Sequence, residues 1–334
     1  VRRAGFALAA LGALAACEAT PPSAPQQHEQ TVVSAVPPPP RPAKPAADLA
    51  ALRRERAEAA RLTEAAEPGP ASRSMAAYLR GAQEQLIARN KLRAATEAEE
   101  ATVTPVSLAR DFVQVALHDE YVRDNGGLSP RATPAPLRRW RDPVRMQLVF
   151  GDSVPIPDRV RDRATVADVA ARLSRATGHP VSLSGGGGNF LILVMSEDER
   201  SAIGPRLRSL LPGIPATDIA AIRDLPPQNF CSAFAYSRDG ASTYAEAVAV
   251  IRAELPDRLR RSCFHEELAQ GMGLANDSPG ARPSIFNDDE EFAFLTRHDE
   301  HLLKMLYDPR LRPGMLEAEA APIAAAIAAE LVGP

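Results

Sequence analysis

The sequence predicts an α/β (α+β) domain, a small mixed sheet joined to one long helix, preceded by a Pro-rich tether and helices. Three observations predict it. Strand-like apolar runs at Val144 to Phe150, Phe190 to Met195 and Phe230 to Tyr236 are interleaved with segments of helical periodicity. A long helical stretch from Pro256 meets a glycine at Gly273, a residue that breaks helices cheaply. Residues 18–46 are rich in Pro, Ala, Ser and Gln, with four prolines in a row at Pro37 to Pro40, and cannot form a packed core. The 334 residues suffice for one large or two small domains, and 45% apolar content is ample for a core. A net charge of −3, more negative still without Arg2 and Arg3, argues against a phosphate-neutralising surface. No nucleic-acid partner is expected.

The first 17 residues read as a signal peptide. Arg2 and Arg3 form a short basic region, and Ala4 to Ala16 is an apolar run too short to span a bilayer as a helix. The run ends in Leu14-Ala15-Ala16-Cys17, which looks like a bacterial lipobox with Cys17 as the lipidation site. The alternative is a secretory signal with small-residue cleavage and an incidental cysteine. The expected location is the periplasmic face of the cell envelope, anchored to the membrane by lipid. Glu18 stands where an inner-membrane retention signal would place Asp, so the outer membrane is preferred.

Residues 47–100 read as a helical spacer. A first helix from Ala46 to about Glu67 ends at Pro68-Gly69-Pro70. A second runs from about Ser72 to Glu99, with Met75, Tyr78, Leu79, Leu86 and Ile87 on one face. That face suits a partner helix or self-association, or belongs to a solvated spacer.

The globular part spans 107–315, followed by a helical tail over 316–334. Phe112, Val115, Ala116 and Tyr121 form a helical face ending at Asn125-Gly126-Gly127. Val144 to Phe150 is a strand, Thr165 to Thr177 a helix capped by Gly178, and Phe190 to Met195 a buried strand. Gly185 to Gly188 reads as a flexible hairpin or lid-like loop, because no Lys-Ser/Thr follows to make a phosphate cradle. Ser201 to Leu211 is a short helix and Phe230 to Tyr236 a strand. Tyr244 to Leu255 fits either period. Helices follow from Pro256 to Gly273 and from Asp299 to Leu306.

Apart from Cys17, the cysteines are Cys231, in a strand, and Cys263, on the long helix. An oxidising compartment invites their pairing, worth about 3 kcal/mol for a loop of this length. Two buried free thiols are the alternative.

Several ordered fragments carry a family resemblance: Arg110-Asp111-Phe112, Arg139-Trp140, Phe150-Gly151, Thr177-Gly178-His179-Pro180, Glu266-Glu267-x-x-Gln270, Gly273-Leu274, Asn276-Asp277-Ser278, Pro283 to Asp288 and Leu306 to Leu311. Over about Ser107 to Met315 the chain resembles the bacterial DUF2927 family, whose members mostly read as lipoproteins. This implies an envelope lipoprotein and no established activity. A more distant likeness is to the metzincin branch of the zincin metallopeptidases, with the signature H-E-x-x-H-x-x-G-x-x-H/D. In that spacing Glu266, Gln270 and Asn276 occupy the metal-ligand positions, Glu267 the general-base position and Gly273 the hinge. Ser284-Ile285-Phe286-Asn287 resembles the turn beneath the metal, with Phe286 in place of Met, and Leu295 to Tyr307 the closing helix.

Zinc favours imidazole and thiolate, whereas carboxylate and amide oxygens suit Ca²⁺, Mg²⁺ or Mn²⁺. The sequence therefore points to a degenerate, non-catalytic zincin-like domain acting in binding or scaffolding, with an envelope protein or peptide as partner. No cofactor is expected. The alternative is a metal-dependent hydrolase acting on envelope protein or cell-wall peptide, with a divalent cation on Glu266, Gln270 and Asn276 and with Glu267 as base. A third outcome is a hydrogen-bonded polar cluster holding helix to turn. His265 falls in the wrong register for a ligand and reads as a surface or helix-flank residue. His179 reads as structural, and His298 and His301 as part of a solvated face. The run Asp288 to Glu291 reads as an exposed loop or helix start.

Overall fold

Phe190 to Met195 is apolar at every position and is buried at every position, which requires a strand covered on both faces. It is the central element of a three-layer α/β arrangement. The computed structural model describes residues 66–124, 127–238 and 240–333, and only the backbone of 123, 124, 127 and 128. The leader, Cys17, the tether and nearly all of the first expected helix lie outside the described residues.

In chain order the elements are α1 (Pro70–Ala88), α2 (Glu97–Glu100), α3 (Pro105–Ala116), β1 (His118–Asp124), β2 (Gly127–Pro134), β3 (Arg139–Trp140), β4 (Val144–Phe150) and α4 (Ile156–Thr177). They continue with β5 (Val181–Leu183), β6 (Phe190–Met195), α5 (Glu197–Arg200), α6 (Gly204–Leu210), α7 (Ala216–Arg223), β7 (Cys231–Ser237) and β8 (Thr243–Arg252). The chain closes with α8 (Asp257–Gln270), α9 (Arg297–Leu306) and α10 (Glu317–Val332). Among the described residues no helix is long and apolar enough to cross a membrane.

The main sheet runs β5-β4-β6-β8, all parallel, with β7 antiparallel on the far edge of β8. The two-residue β3 pairs with the start of β8. One face, through Met146, Leu148, Ile192, Ala249 and Ile251, joins the large core formed with α3, α4, α8, α9 and α10. The other, through Val149, Leu191, Leu193 and Val250, meets Ile203, Leu207, Ile219 and Ile222 around α6 and α7. β1 and β2 form a separate antiparallel hairpin.

Several expectations are corrected. Tyr121 lies on strand β1, because the helix stops at Ala116. Tyr244 to Leu255 resolves as a strand through Arg252; burial on both faces had erased its period. Residues 184–189 are not a hairpin, since β5 and β6 lie on opposite sides of β4. The loop crosses β4, with Asn189 N–H donating to Arg145 O and Gly188 N–H to Gln147 Oε1. The helix expected over Ser72 to Glu99 ends at Ala88, and the chain then lies against the domain. Leu92 N–H donates to Glu290 O at 2.8 Å, Arg93 N–H to Glu291 O at 3.0 Å, and Ala293 N–H back to Arg93 O at 2.9 Å. This is a parallel bridge between Arg93 and Phe292. The C-terminal helix α10 packs on α3 and joins the large core through Ala320, Ala324, Ile327 and Ala328.

Candidate functional site: an acidic pocket beside the long helix

Helix α8 is tied down on three sides, and that fixes what its last turns present. Arg260 donates through Nε (2.8 Å) and Nη2 (2.5 Å) to both carboxylate oxygens of Asp162 on α4. Cys263 forms a disulfide with Cys231 at the start of β7, so the expected pairing is present. At the C-terminus Trp140 Nε1 donates to Gly271 O at 2.8 Å and the Tyr307 hydroxyl to Met272 O at 3.0 Å, satisfying carbonyls that the helix end leaves open. Gly273 then turns the chain with φ of +124°, and a Cβ there would lie 2.3 Å from Arg138 O. Only glycine fits both demands.

The stretch after the glycine is equally fixed. Asp299, at the start of α9, accepts from Ser284 Oγ (2.5 Å), Thr296 Oγ1 (2.9 Å) and the backbone of Thr296 (2.8 Å). It thereby pins the Ser284-Ile285-Phe286-Asn287 turn, whose Phe286 is buried.

Five carboxylates meet at the face so presented: Glu266 and Glu267 on α8, Asp277 after the glycine turn, Glu120 on β1 and Glu290 on the acidic loop. Burial pushes Glu266, Glu267 and Asp277 well above the usual carboxylate range, and the neighbouring carboxylates add to it. Burial and the adjacent Asp288 take Glu290 to about 7. Burial likewise takes Glu120 to about 7, against a hydrogen bond from Tyr121. Among the described residues no Lys or Arg forms an ion pair with any of the five. Glu267 is 4% exposed, and its Oε2 meets no donor. Carboxylate oxygens of Glu266 and Glu267 and the Cys231 sulfur lie within 4.8 Å of one another.

The predicted site residues separate. Glu266, Glu267 and Gln270 face this pocket, Gln270 donating to Asp277 Oδ1 at 3.3 Å. Asn276 does not serve it with its amide nitrogen, which donates to Gln114 O at 2.9 Å and so ties the turn to the end of α3. Asp277 supplies the pocket's carboxylate from this turn.

His265 is buried rather than a surface residue, its Nδ1 accepting from Leu295 N–H at 3.3 Å. Burial and the nearby Arg172 and Arg261 hold its pKa down at about 3. His298 is fully buried as well, 3.2 Å from Asp111, and is no part of a solvated face. The acidic run is a loop and does not begin a helix. Asp289 pairs with Lys91 and Arg282, and Glu291 with Arg93 and Arg282, which leaves Glu290 to the pocket.

Sequence reasoning missed Glu120, Asp277 and Glu290 as members of the site. Glu120 lies on the hairpin opposite a bulge, where the register shifts between Asp119 and Tyr121, and a bulge re-aims side chains. No pattern in the sequence announces that.

Oxygen donors dominate the pocket, and the nearby sulfur is held in a disulfide. This set fits Ca²⁺, Mg²⁺ or Mn²⁺ and does not fit the imidazole-bound zinc of the peptidases that the spacing resembles. A separate open cavity, lined by Arg139, Trp140, His179, Tyr307 and Arg312, shares no residue with the pocket.

A family model described as "Protein of unknown function (DUF2927)" matches residues 105–326. No curated protein and no solved structure matches the chain.

Proposed function

Because the chain belongs to the DUF2927 family, a membership that brings no activity with it, we propose a function from the pocket itself: a non-catalytic, zincin-like binding module of the cell envelope whose acidic pocket takes up a hard divalent cation. The observation that carries this reading is the buried Glu267, whose Oε2 meets no donor, set among four other carboxylates with which no Lys or Arg of the described residues forms an ion pair. Buried charge of one sign is costly and must be met by protons or by a counter-ion. A divalent cation bound by carboxylate oxygens at about 2.0–2.6 Å meets it without protonation.

The envelope assignment is supported by Leu14-Ala15-Ala16-Cys17 in the sequence, with Cys17 as lipid attachment point. The zincin-like assignment is supported by the order of parts: a helix carrying Glu266-Glu267-x-x-Gln270, a glycine turn at positive φ, a pinned turn with buried Phe286, and a closing helix before Tyr307. In this role the cation joins α8, the turn and the acidic loop into one surface for an envelope protein or peptide partner.

Calorimetric titration of the purified, disulfide-bonded chain with Ca²⁺, Mg²⁺ and Mn²⁺ tests the reading. One cation per chain is expected, with Glu267→Gln weakening it by about tenfold or more. Heat traces indistinguishable from buffer for all three ions would sink the proposal. Cleavage of a peptide library that depends on Glu267 would replace it with the hydrolase alternative.

A further inference from the structure

The bridge between Cys231 and Cys263 lies beside the carboxylates of Glu266 and Glu267. The Cys231 sulfur lies within 4.8 Å of oxygens from both Glu266 and Glu267, so one sulfur and two carboxylates surround a common point. As a disulfide sulfur it is a poor metal ligand; as a thiolate it would be the strongest donor in the set. We propose that reduction of the Cys231–Cys263 bridge converts the carboxylate pocket into a zinc site in which the Cys231 thiolate joins Glu266 and Glu267. This inference rests on the same pocket as the cation-binding reading and adds its regulation: the redox state selects the class of metal.

Three observations support it independently of the acidic cluster as such. Glu267 is buried, its Oε2 has no donor, and one of its carboxylate oxygens lies within 4.8 Å of the Cys231 sulfur and of a Glu266 oxygen. The spread of the three atoms is close to what zinc needs. Tetrahedral zinc with a sulfur at about 2.3 Å and oxygens at about 2.0–2.2 Å holds its ligand atoms roughly 3.3–3.7 Å apart, so rotation of two side chains closes the site. Finally, the two cysteines differ in exposure. Cys231 is partly exposed on β7, which among the described residues pairs with β8 alone, whereas Cys263 is 2% exposed.

The chemistry balances with a dithiol reductant. One reductant thiolate attacks the Cys231 sulfur, forming a mixed disulfide and releasing Cys263 as thiolate, which takes up a proton. The second reductant thiol then displaces Cys231, leaving the reductant as its own disulfide with two electrons transferred to the protein. Zinc binding removes the proton from the Cys231 thiol to solvent. Cys263 stays in the core as a small apolar group.

The experiment compares zinc affinity of the full purified chain with and without TCEP, using a competing chromophoric chelator, and records the Co²⁺ spectrum as a probe of thiolate ligation. Reduced protein is expected to bind one zinc about a hundredfold more tightly than oxidised protein, with a near-ultraviolet sulfur-to-cobalt band. Cys263→Ser, which frees Cys231 without reductant, should show the same band and affinity, and Cys231→Ser neither. Equal zinc affinity in both redox states, or a Cys263→Ser spectrum without the band, overturns the proposal. So does loss of the folded circular-dichroism spectrum in both the reduced chain and Cys263→Ser with zinc present. The Ca²⁺ and Mn²⁺ titrations of the oxidised chain report on the cation-binding reading alone, so the two can fail separately.

Discussion

Asn276 donates its side-chain amide to Gln114 O at 2.9 Å and its own N–H to Val115 O at 3.1 Å. Both bonds satisfy carbonyls that the end of α3 leaves open. Replacing Asn276 with Ala removes the first and should cost about 1–2 kcal/mol, read as a lower urea midpoint, while cation affinity stays at the wild-type value. An affinity that fell tenfold alongside would return Asn276 to the ligand set. Glu266 and Gln270 were legible as a pair because i and i+4 share a helix face, whatever the tertiary structure does. That rule stops at Gly273, where a positive φ redirects the chain, and it is Asp277 that reaches the pocket from the turn. Glu290 was hidden by its neighbours. Four adjacent acids look alike in sequence, and only the pairing of Asp289 and Glu291 with Lys91, Arg93 and Arg282 singles it out.

Among the elements, the turn at Gly273 concentrates the most consequence in one residue. Ala there would adopt a left-handed backbone at a cost of about 1–2 kcal/mol and would press its Cβ onto Arg138 O besides. Gly273→Ala should therefore destabilise the domain by more than 2 kcal/mol, roughly, and abolish cation binding, both followed by thermal melts with and without Mn²⁺. A melting temperature within a degree or two of wild type would show that the turn relaxes. Elements with a clean signal were legible: β4 alternates, β6 is uniformly apolar, and Gly178 caps α4 at φ of +67°. The ambiguous ones share a cause. β8 is buried on both faces, so neither period survives in its sequence. β1, with His118, Asp119, Glu120 and Arg123 among its seven residues, carries no apolar alternation, and its place is set by pairing with β2.

Across the molecule, buried ion pairs join helices far apart in the chain. His298 on α9 faces Asp111 on α3 at 3.2 Å, both almost wholly buried. Burial opposes charge on the ring, but the Asp111 and Asp299 carboxylates outweigh it and hold the pKa at about 9. Because this lies above the unfolded value of about 6.5, the pair's stabilisation is fully present below pH 6.5 and is lost as pH climbs through about 9. His298→Gln should lower stability by about 3 kcal/mol at pH 6, since Arg110 still pairs with Asp111, and by much less at pH 10. Melting curves of both proteins across that range check it; a gap independent of pH would mean the imidazole is neutral throughout.

Residues 91–93, which stitch the chain to 290–293, lie ahead of the residues that the family model matches. A protein trimmed to 105–326 would retain every acid of the pocket yet lose the clasp on the loop that bears Glu290. Tension applied to the chain ahead of Pro70 would meet the Ala66–Asp152 and Ser72–Asp198 hydrogen bonds and the buried Leu79 of α1 before it reached this clasp. The loop that bears Glu290 is thus shielded from such a pull by the anchorage of α1, and its clasp answers only to local change around residues 91–93.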